Sequence, residues 1–253
     1  MTSTRLARVV GTIGVALAVG LASVALASPA RADVTPAELS HVGTARQVII
    51  VSAPSWSSHV GTLSAWRRTA HGWRRVLGPF PATLGARGLV AAAQRRQGTS
   101  TTPAGTFALV SAFGRRPDPG AHLPYRRLTT DDAWPYNPAD PATYNVFQDA
   151  HHSWASYGNQ VEHLAAKGRQ YDYVAVLDYN LPPGPITRDA DGVRRTASPA
   201  NTRAGGGIFL HVSNGRLTTG CVSIPEPAMR AVLTWMRPGA VIVIGPESDL
   251  PRM

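Results

Sequence analysis

One cysteine occurs among the 253 residues, and its surroundings make it a candidate nucleophile. Cys221 stands in Leu217-Thr218-Thr219-Gly220-Cys221-Val222-Ser223, with His211 ten residues upstream. A thiol within hydrogen-bond reach of an imidazole is an activated nucleophile: the base takes the proton and the thiolate attacks. A free cysteine is often merely a small buried hydrophobe, but three local features favour reactivity here. Gly220 permits a tight turn and the close approach of a substrate. Asn214-Gly215 reads as a hairpin-type turn that would fold Cys221 back beside His211. Ser223 and Glu226 have the S-x-x-E spacing of a capping box, which would set Cys221 just before a helix N-terminus whose dipole favours a thiolate.

Other reactive side chains carry weaker signals. His151-His152 with His163 invites a metal, but no ligand spacing supports one. They read as surface or structural histidines, and neither a metal nor an organic cofactor is expected. A lone cysteine excludes an intrachain disulfide framework and any multi-cysteine zinc or iron–sulfur site. Trp134, Tyr136, Trp154 and Tyr157 form either a packed aromatic cluster or one wall of a cleft. Asp178 and Asn180 could orient His211, although a turn role suits them better.

These groups need a scaffold. Short apolar runs bounded by Gly, Pro, Asn and Asp predict strands over 47–51, 62–66, 73–77, 106–113, 171–179, 207–212 and 240–245, with a turn at His71-Gly72 between the second and third. Met229, Val232, Leu233 and Met236 share one helical face, and Pro238-Gly239 ends that helix. A second helix is expected over 153–167. Loops are expected over 114–124, 131–143 and 181–206; the last directly precedes the His211 strand and reads as a mobile lid or substrate wall. Many short strands without βαβ alternation predict a mainly β fold, a mixed β-sandwich with few helices, one of them following the cysteine.

The N-terminus indicates a compartment. Arg5 and Arg8, an apolar run over 9–27 and Ala30-Arg31-Ala32 follow the order of a cleavable secretory signal over 1–32. A leader over 33–45, a domain over 46–246 and a tail over 247–253 complete the expected organisation, with a secreted or cell-envelope location and no membrane span after cleavage. No cysteine lies near the cleavage site, which excludes a lipoprotein anchor. The formal charge is +10, from 25 basic and 15 acidic residues. Removing 1–32 leaves 22 basic residues against 15 acidic ones, a net +7. The arginine pairs, among them Arg67-Arg68, Arg74-Arg75 and Arg95-Arg96, are scattered and read as solvated surface charge, so nucleic acid is not an expected partner.

At the cysteine the chain resembles the YkuD-type L,D-transpeptidase catalytic domain. The resemblance rests on Gly207-Ile208-Phe209-Leu210-His211, then Thr219-Gly220-Cys221-Val222, and upstream Thr102-Pro103-Ala104-Gly105-Thr106-Phe107. It implies a cofactor-free acyl transfer on peptidoglycan stem peptides. Cys221 would attack the carbonyl of the third stem residue, a diamino acid, D-Ala would leave, and an amine of a second stem would resolve the thioester to a 3→3 cross-link. His211 would be the base and acid, and the Gly220 and Cys221 amides part of an oxyanion hole. Thr219 and Val212 would support the site. The chain departs from the commoner pattern in having Thr219, not histidine, before Gly-Cys, and a shorter His-to-Cys spacing; it resembles a short Thr-Gly-Cys branch. With water as acceptor the same site is a carboxypeptidase or endopeptidase. The rivals are a sortase-like transpeptidase and a non-catalytic wall-binding module in which Cys221 is simply buried.

Overall fold

β-Branched and aliphatic residues fill the runs between the Gly, Pro and Asn turns, and in the computed structural model these runs are strands. The structure describes residues 1–2 and 34–253, so the signal segment lies outside the described residues. The strands are β1 (Gln47–Ala53), β2 (Val60–Thr69), β3 (Gly72–Thr83), β4 (Leu89–Ala91), β5 (Thr102–Gly114), β6 (Tyr125–Arg127), β7 (Ala133–Pro135), β8 (Val161–His163), β9 (Val174–Leu177), β10 (Ile186–Arg188), β11 (Arg194–Thr196), β12 (Phe209–Val212), β13 (Val222–Ile224) and β14 (Val241–Pro246). Among the described residues there is one α-helix, α1, which spans Glu226–Trp235 and follows the cysteine.

The fold is mainly β, but the sheet closes on itself instead of splitting into the two layers of the expected sandwich. Its order runs β14-β1-β2-β3-β13-β12-β9-β5, and β5 also pairs with β14, which joins the ends into a barrel-like form. The long β5 makes this possible. Its first half pairs antiparallel with β14, from Gly105 opposite Ile244 to Ala108 opposite Val241. Its second half pairs with β9, from Leu109 opposite Leu177 to Phe113 opposite Val174. Period-two alternation is the same in a sandwich and a barrel, so the sequence pattern could not separate them.

The enclosed core is aliphatic. Ile49, Leu63, Leu177, Leu210, Val222, Ile224 and Ile242 come from strands all around the sheet into one cluster, with Met229, Val232 and Leu233 of α1 packed into it. Residues 34–45 and 247–253 lie against the outside of β1 and β14. There Leu39 and Leu250 pack with Val48, Ile50, Trp66 and Val243.

Three local expectations are corrected. Residues 153–167 are not an α-helix but a 3-10 turn at Ala155–Tyr157, strand β8 and a 3-10 segment at Leu164–Tyr171. Gly158 at φ 54° and Gly168 at φ 78° interrupt any helix there. The capping box does not form: Ser223 belongs to β13, and Pro225 is the N-cap of α1 with no side-chain cap. The ladder claims the serine first, so Cys221 precedes a strand and not a helix. Finally, β12 and β13 pair in parallel, Leu210 beside Val222 and Val212 beside Ile224. Residues 213–221 are therefore a crossover and not a hairpin.

Candidate active site

The parallel register determines which side chains share a face. Leu210, Val212, Val222 and Ile224 point into the aliphatic core. Phe209, His211, Cys221 and Ser223 therefore point outward, since side chains alternate along a strand. That outer face is covered too: Phe209 and Cys221 pack with Phe113, Trp134, Tyr171, Val174 and Val176. Cys221 immediately precedes β13, level with Phe209, and His211 lies two residues along the same face of β12. The Tyr171 ring stands edge-on to His211, 5.8 Å between centroids.

His211 and Cys221 line one cavity of about 730 Å³. Gly220 and Thr219 line it as well, with Gly206, Gly207, Tyr136, Glu162 and Arg95. Val212 does not: its side chain is in the core, and its carbonyl accepts a bond from His211 Nδ1 at 2.9 Å. Because a carbonyl can only accept, Nδ1 carries the proton and Nε2 is the free base.

Burial governs the ionisation of both groups. The Cys221 thiol is pushed up to about 12, mainly by desolvation, with Glu162 adding to the rise and Arg95 opposing it. His211 is pushed down to about 4 by desolvation, partly offset by its bond to the Val212 carbonyl. The pair is therefore neutral thiol and neutral imidazole at pH 7. α1 begins five residues after Cys221, with β13 between them, so the thiol does not stand at the helix N-terminus as expected.

A second tier fixes the cysteine. Its Sγ donates to the Gly207 carbonyl at 3.3 Å. The Gly207 amide donates to Asn145 Oδ1 at 2.8 Å, and Trp134 Nε1 donates to the same oxygen at 2.8 Å. Asn145 Nδ2 reaches the carbonyls of Tyr179 and Asn180, so the buried amide is fully engaged. On the other side, Thr218 Oγ1 donates to the Cys221 carbonyl at 2.6 Å and accepts from the Gly220 amide at 3.2 Å. Gly220 has φ 144°, and a Cβ there would sit 2.8 Å from Arg95 Nη2 and 2.9 Å from the Thr101 carbonyl, so only glycine fits. Gly207 is equally constrained: a Cβ would collide with the Tyr136 hydroxyl.

The remaining candidates disperse. Tyr136 lines the cavity, Trp134 packs in one cluster with Cys221, and Trp154 meets Tyr157 edge-to-face in a separate cluster. Asp178 accepts from the Ala108 amide, and Asn180 donates to the carbonyls of Asn201 and Gly205, a turn role. His151 pairs with Asp131 at 2.8 Å, and His152 meets the Trp154 ring edge-to-face. Among the described residues no group of three or more His, Cys, Asp or Glu is arranged to hold a metal. Residues 181–206 are not structureless: β10 and β11 form a hairpin around Asp189. Only the end of this segment, Gly205 and Gly206, reaches the cavity; Leu181, Pro182, Ile186 and Arg194 line a second one of about 510 Å³.

Sequence reasoning missed Arg95, Asn145 and Tyr171. Arg95 was grouped with scattered surface pairs, yet it is 4% exposed. Asn145 offered no pattern; its φ of 59° is visible only in the fold.

Comparison with known proteins gives three results. Residues 63–244 match the family model YkuD, the L,D-transpeptidase catalytic domain. No curated protein matches. One solved structure, the helical cell shape determining protein Pgp2 from Campylobacter jejuni, is similar at 14% identity with a TM-score of 0.36, over 83% of this chain and 54% of that one. The present chain thus spans about half the length of that protein. Because the family match covers most of the 253 residues, the chain belongs to the YkuD family of L,D-transpeptidase catalytic domains.

Proposed function

We propose that the protein is an exported, cysteine-dependent peptidoglycan L,D-transpeptidase. The observation that carries this reading is the placement of Cys221 and His211 on one face of adjoining parallel strands, lining a single cavity, in a chain of this family. Export is inferred from the signal-like order of residues 1–32 and from a family whose substrate lies outside the cytoplasmic membrane. Among the described residues no helix is long and apolar enough to cross a membrane.

The chemistry follows from the tautomer. In the reacting complex the Cys221 S–H leaves the Gly207 carbonyl, and His211 Nε2, unprotonated because Nδ1 donates to the Val212 carbonyl, accepts its proton as Sγ attacks the donor carbonyl. The carbonyl π electrons move to oxygen, giving a tetrahedral oxyanion. When the oxyanion collapses, the C–N bond breaks, the imidazolium protonates the departing D-Ala amine, and a thioester remains. An acceptor amine adds to the thioester carbonyl and gives its proton to His211; as the second tetrahedral oxyanion collapses, the C–S bond breaks, the imidazolium returns the proton to the departing Cys221 sulfur, and an amide remains. Desolvation keeps the thiol neutral until a substrate arrives, so ion-pair formation is confined to the reacting complex. Of the two amides expected to hold the oxyanion, that of Gly220 is already bonded to Thr218 Oγ1. The Cys221 amide therefore becomes the principal backbone donor in this reading.

The test is to incubate protein lacking residues 1–32 with tetrapeptide-stem muropeptides and weigh the products. Dimers joined 3→3, with one D-Ala released per dimer, are expected. Tripeptide stems without dimers would assign the hydrolytic outcome instead. Unchanged muropeptides would leave the wall-binding reading.

A further inference from the structure

The cavity that holds the thiol also holds a buried cation, and among the described residues no carboxylate forms an ion pair with it. Arg95 is 4% exposed. Its Nε donates to the Thr101 carbonyl at 2.9 Å and its Nη1 to the Ala204 carbonyl at 2.8 Å. Its guanidinium carbon lies 5.6 Å from the Tyr179 ring centroid. Two neutral carbonyls and an aromatic face orient the group without neutralising it. A buried charge is ordinarily paired, because desolvation without a counter-charge is costly. The cavity's own carboxylate, Glu162, is occupied elsewhere: it accepts from the Tyr171 hydroxyl at 2.7 Å and lies 3.9 Å from Lys167 Nζ.

The backbone around Arg95 is cleared for it. A Cβ at Gly220 would lie 2.8 Å from Nη2, and one at Gly205 would collide with Nη1. Two glycines thus bring the guanidinium against the residue preceding the nucleophile. An arginine fork fits a carboxylate in geometry as well as charge.

We infer that Arg95 is the carboxylate-binding residue of this site, taking the C-terminal carboxylate of the donor stem beside Cys221. This rests on the reading of Cys221 as the nucleophile toward a stem peptide. In such a donor the leaving residue's carboxylate carbon is three bonds from the attacked carbonyl carbon, roughly 4 Å away. A cation one residue from the nucleophile is at the right range to hold it. The same contact would make the site select stems that end in a free carboxylate directly after the attacked residue.

The experiment compares alkylation of Cys221 by iodoacetate and by iodoacetamide, followed by intact mass, in the wild type, Arg95→Gln and Arg95→Lys. The reagents differ by one negative charge. The wild-type rate ratio of iodoacetate to iodoacetamide should exceed that of glutathione by about tenfold or more, the worth of one charge-assisted hydrogen bond. Arg95→Gln should bring the ratio down to the glutathione value, and Arg95→Lys should retain part of the excess. A purely structural role, or one that only lowers the thiol pKa, would change both rates alike and leave the ratio intact; that result overturns the inference. If Arg95→Gln does not fold, the wild type still decides. N-acetyl-D-alanine should protect Cys221 from iodoacetamide and N-acetyl-D-alaninamide should not, and equal protection by the two overturns the inference. Alkylation requires no acyl transfer. Charge preference without cross-linking would count against the transpeptidase reading alone, and cross-linking without charge preference against Arg95 alone.

Discussion

The two faces of β12 and β13 are made by the same few residues and are almost equally buried, yet they differ in kind. The inner face, Leu210, Val212, Val222 and Ile224, is wholly aliphatic and 0% exposed. The outer face, Phe209, His211, Cys221 and Ser223, is covered by aromatic rings and carries every polar side chain of the pair. Exclusion of water does different things on the two sides. Inside, it stabilises the closed sheet and makes a rigid backing. Outside, it raises the thiol and lowers the imidazole, so both are held neutral beside a buried arginine, Arg95. Depth of burial alone does not separate scaffold from site; the chemistry of the buried atoms does.

Substitutions can break this contrast. The largest effect should come from the outer face. Cys221→Ser should abolish acyl-enzyme formation, read by intact mass, while its melting temperature stays within a few degrees of wild type, because the hydroxyl replaces a thiol of nearly the same size. Carbapenem-type β-lactams, which the family resemblance makes acylating agents, should add their mass to the wild type alone. His211→Gln should lower the acylation rate by about 10²–10⁴-fold, the usual worth of general acid–base help, with the fold intact by circular dichroism. On the inner face the opposite pattern is expected. Leu210→Ala should cost about 2–5 kcal/mol of stability in a denaturant titration, and the protein that remains folded should acylate at a near-wild-type rate.

Asn145 connects the two kinds of region. Removing its amide in Asn145→Ala would orphan the Gly207 amide, the Trp134 indole and two carbonyls. A loss of about 1–3 kcal/mol per stranded group sets the scale, and acylation should fall along with stability, since Gly207 no longer aims the thiol. Loss of stability without loss of acylation, or the reverse, would show that the two faces are not joined through this residue.

Acidity gives a smaller, signed effect. The folded pKa of His211 lies below its ordinary value of 6.5, at about 4. Between those values the unfolded chain binds a proton that the folded chain refuses. Its contribution to stability is therefore present above pH 6.5 and lost as the pH falls through 4. His211→Gln should flatten this part of the stability profile, measured by urea midpoints from pH 4 to 7. The smallest effect is expected at Ser223. Its buried hydroxyl has no hydrogen-bond partner among the described residues, so Ser223→Ala should leave the midpoint unchanged or raise it slightly.

The candidate pair stood out in the sequence as a lone cysteine after glycine, with a histidine on an apolar run ten residues upstream. The longer strands were legible from apolar runs such as those of β1 and β14, whereas three-residue strands such as β7 and β8 left no such run. What pairs with what was not legible. Closure depends on β5 serving two partners, a long-range choice with no local signature. Ser223 and Glu226 matched a local helix signal that the β13 ladder overrode. Asn214-Gly215 suggested a hairpin, but the parallel pairing of β12 with β13 is fixed by distant strands. Arg95 was hidden by abundance, one of many arginines, until the fold showed it enclosed. The turn at Asp189, which organises β10 and β11, carried an Asp-Gly signal within 181–206 that went unread because the segment was treated as one loop.

The central claim is that desolvation keeps Cys221 a neutral thiol in the resting protein, so that it is not a thiolate before a substrate arrives. The most direct measurement is the pH dependence of Cys221 alkylation by iodoacetamide, followed by mass, in the wild type. With the thiol pushed up to about 12, the rate should keep climbing about tenfold per pH unit between 8 and 10, where an ordinary thiol of pKa about 8.5 levels off. A plateau reached near pH 7 or below would mean that Cys221 is already a thiolate in the resting protein, and would contradict the account.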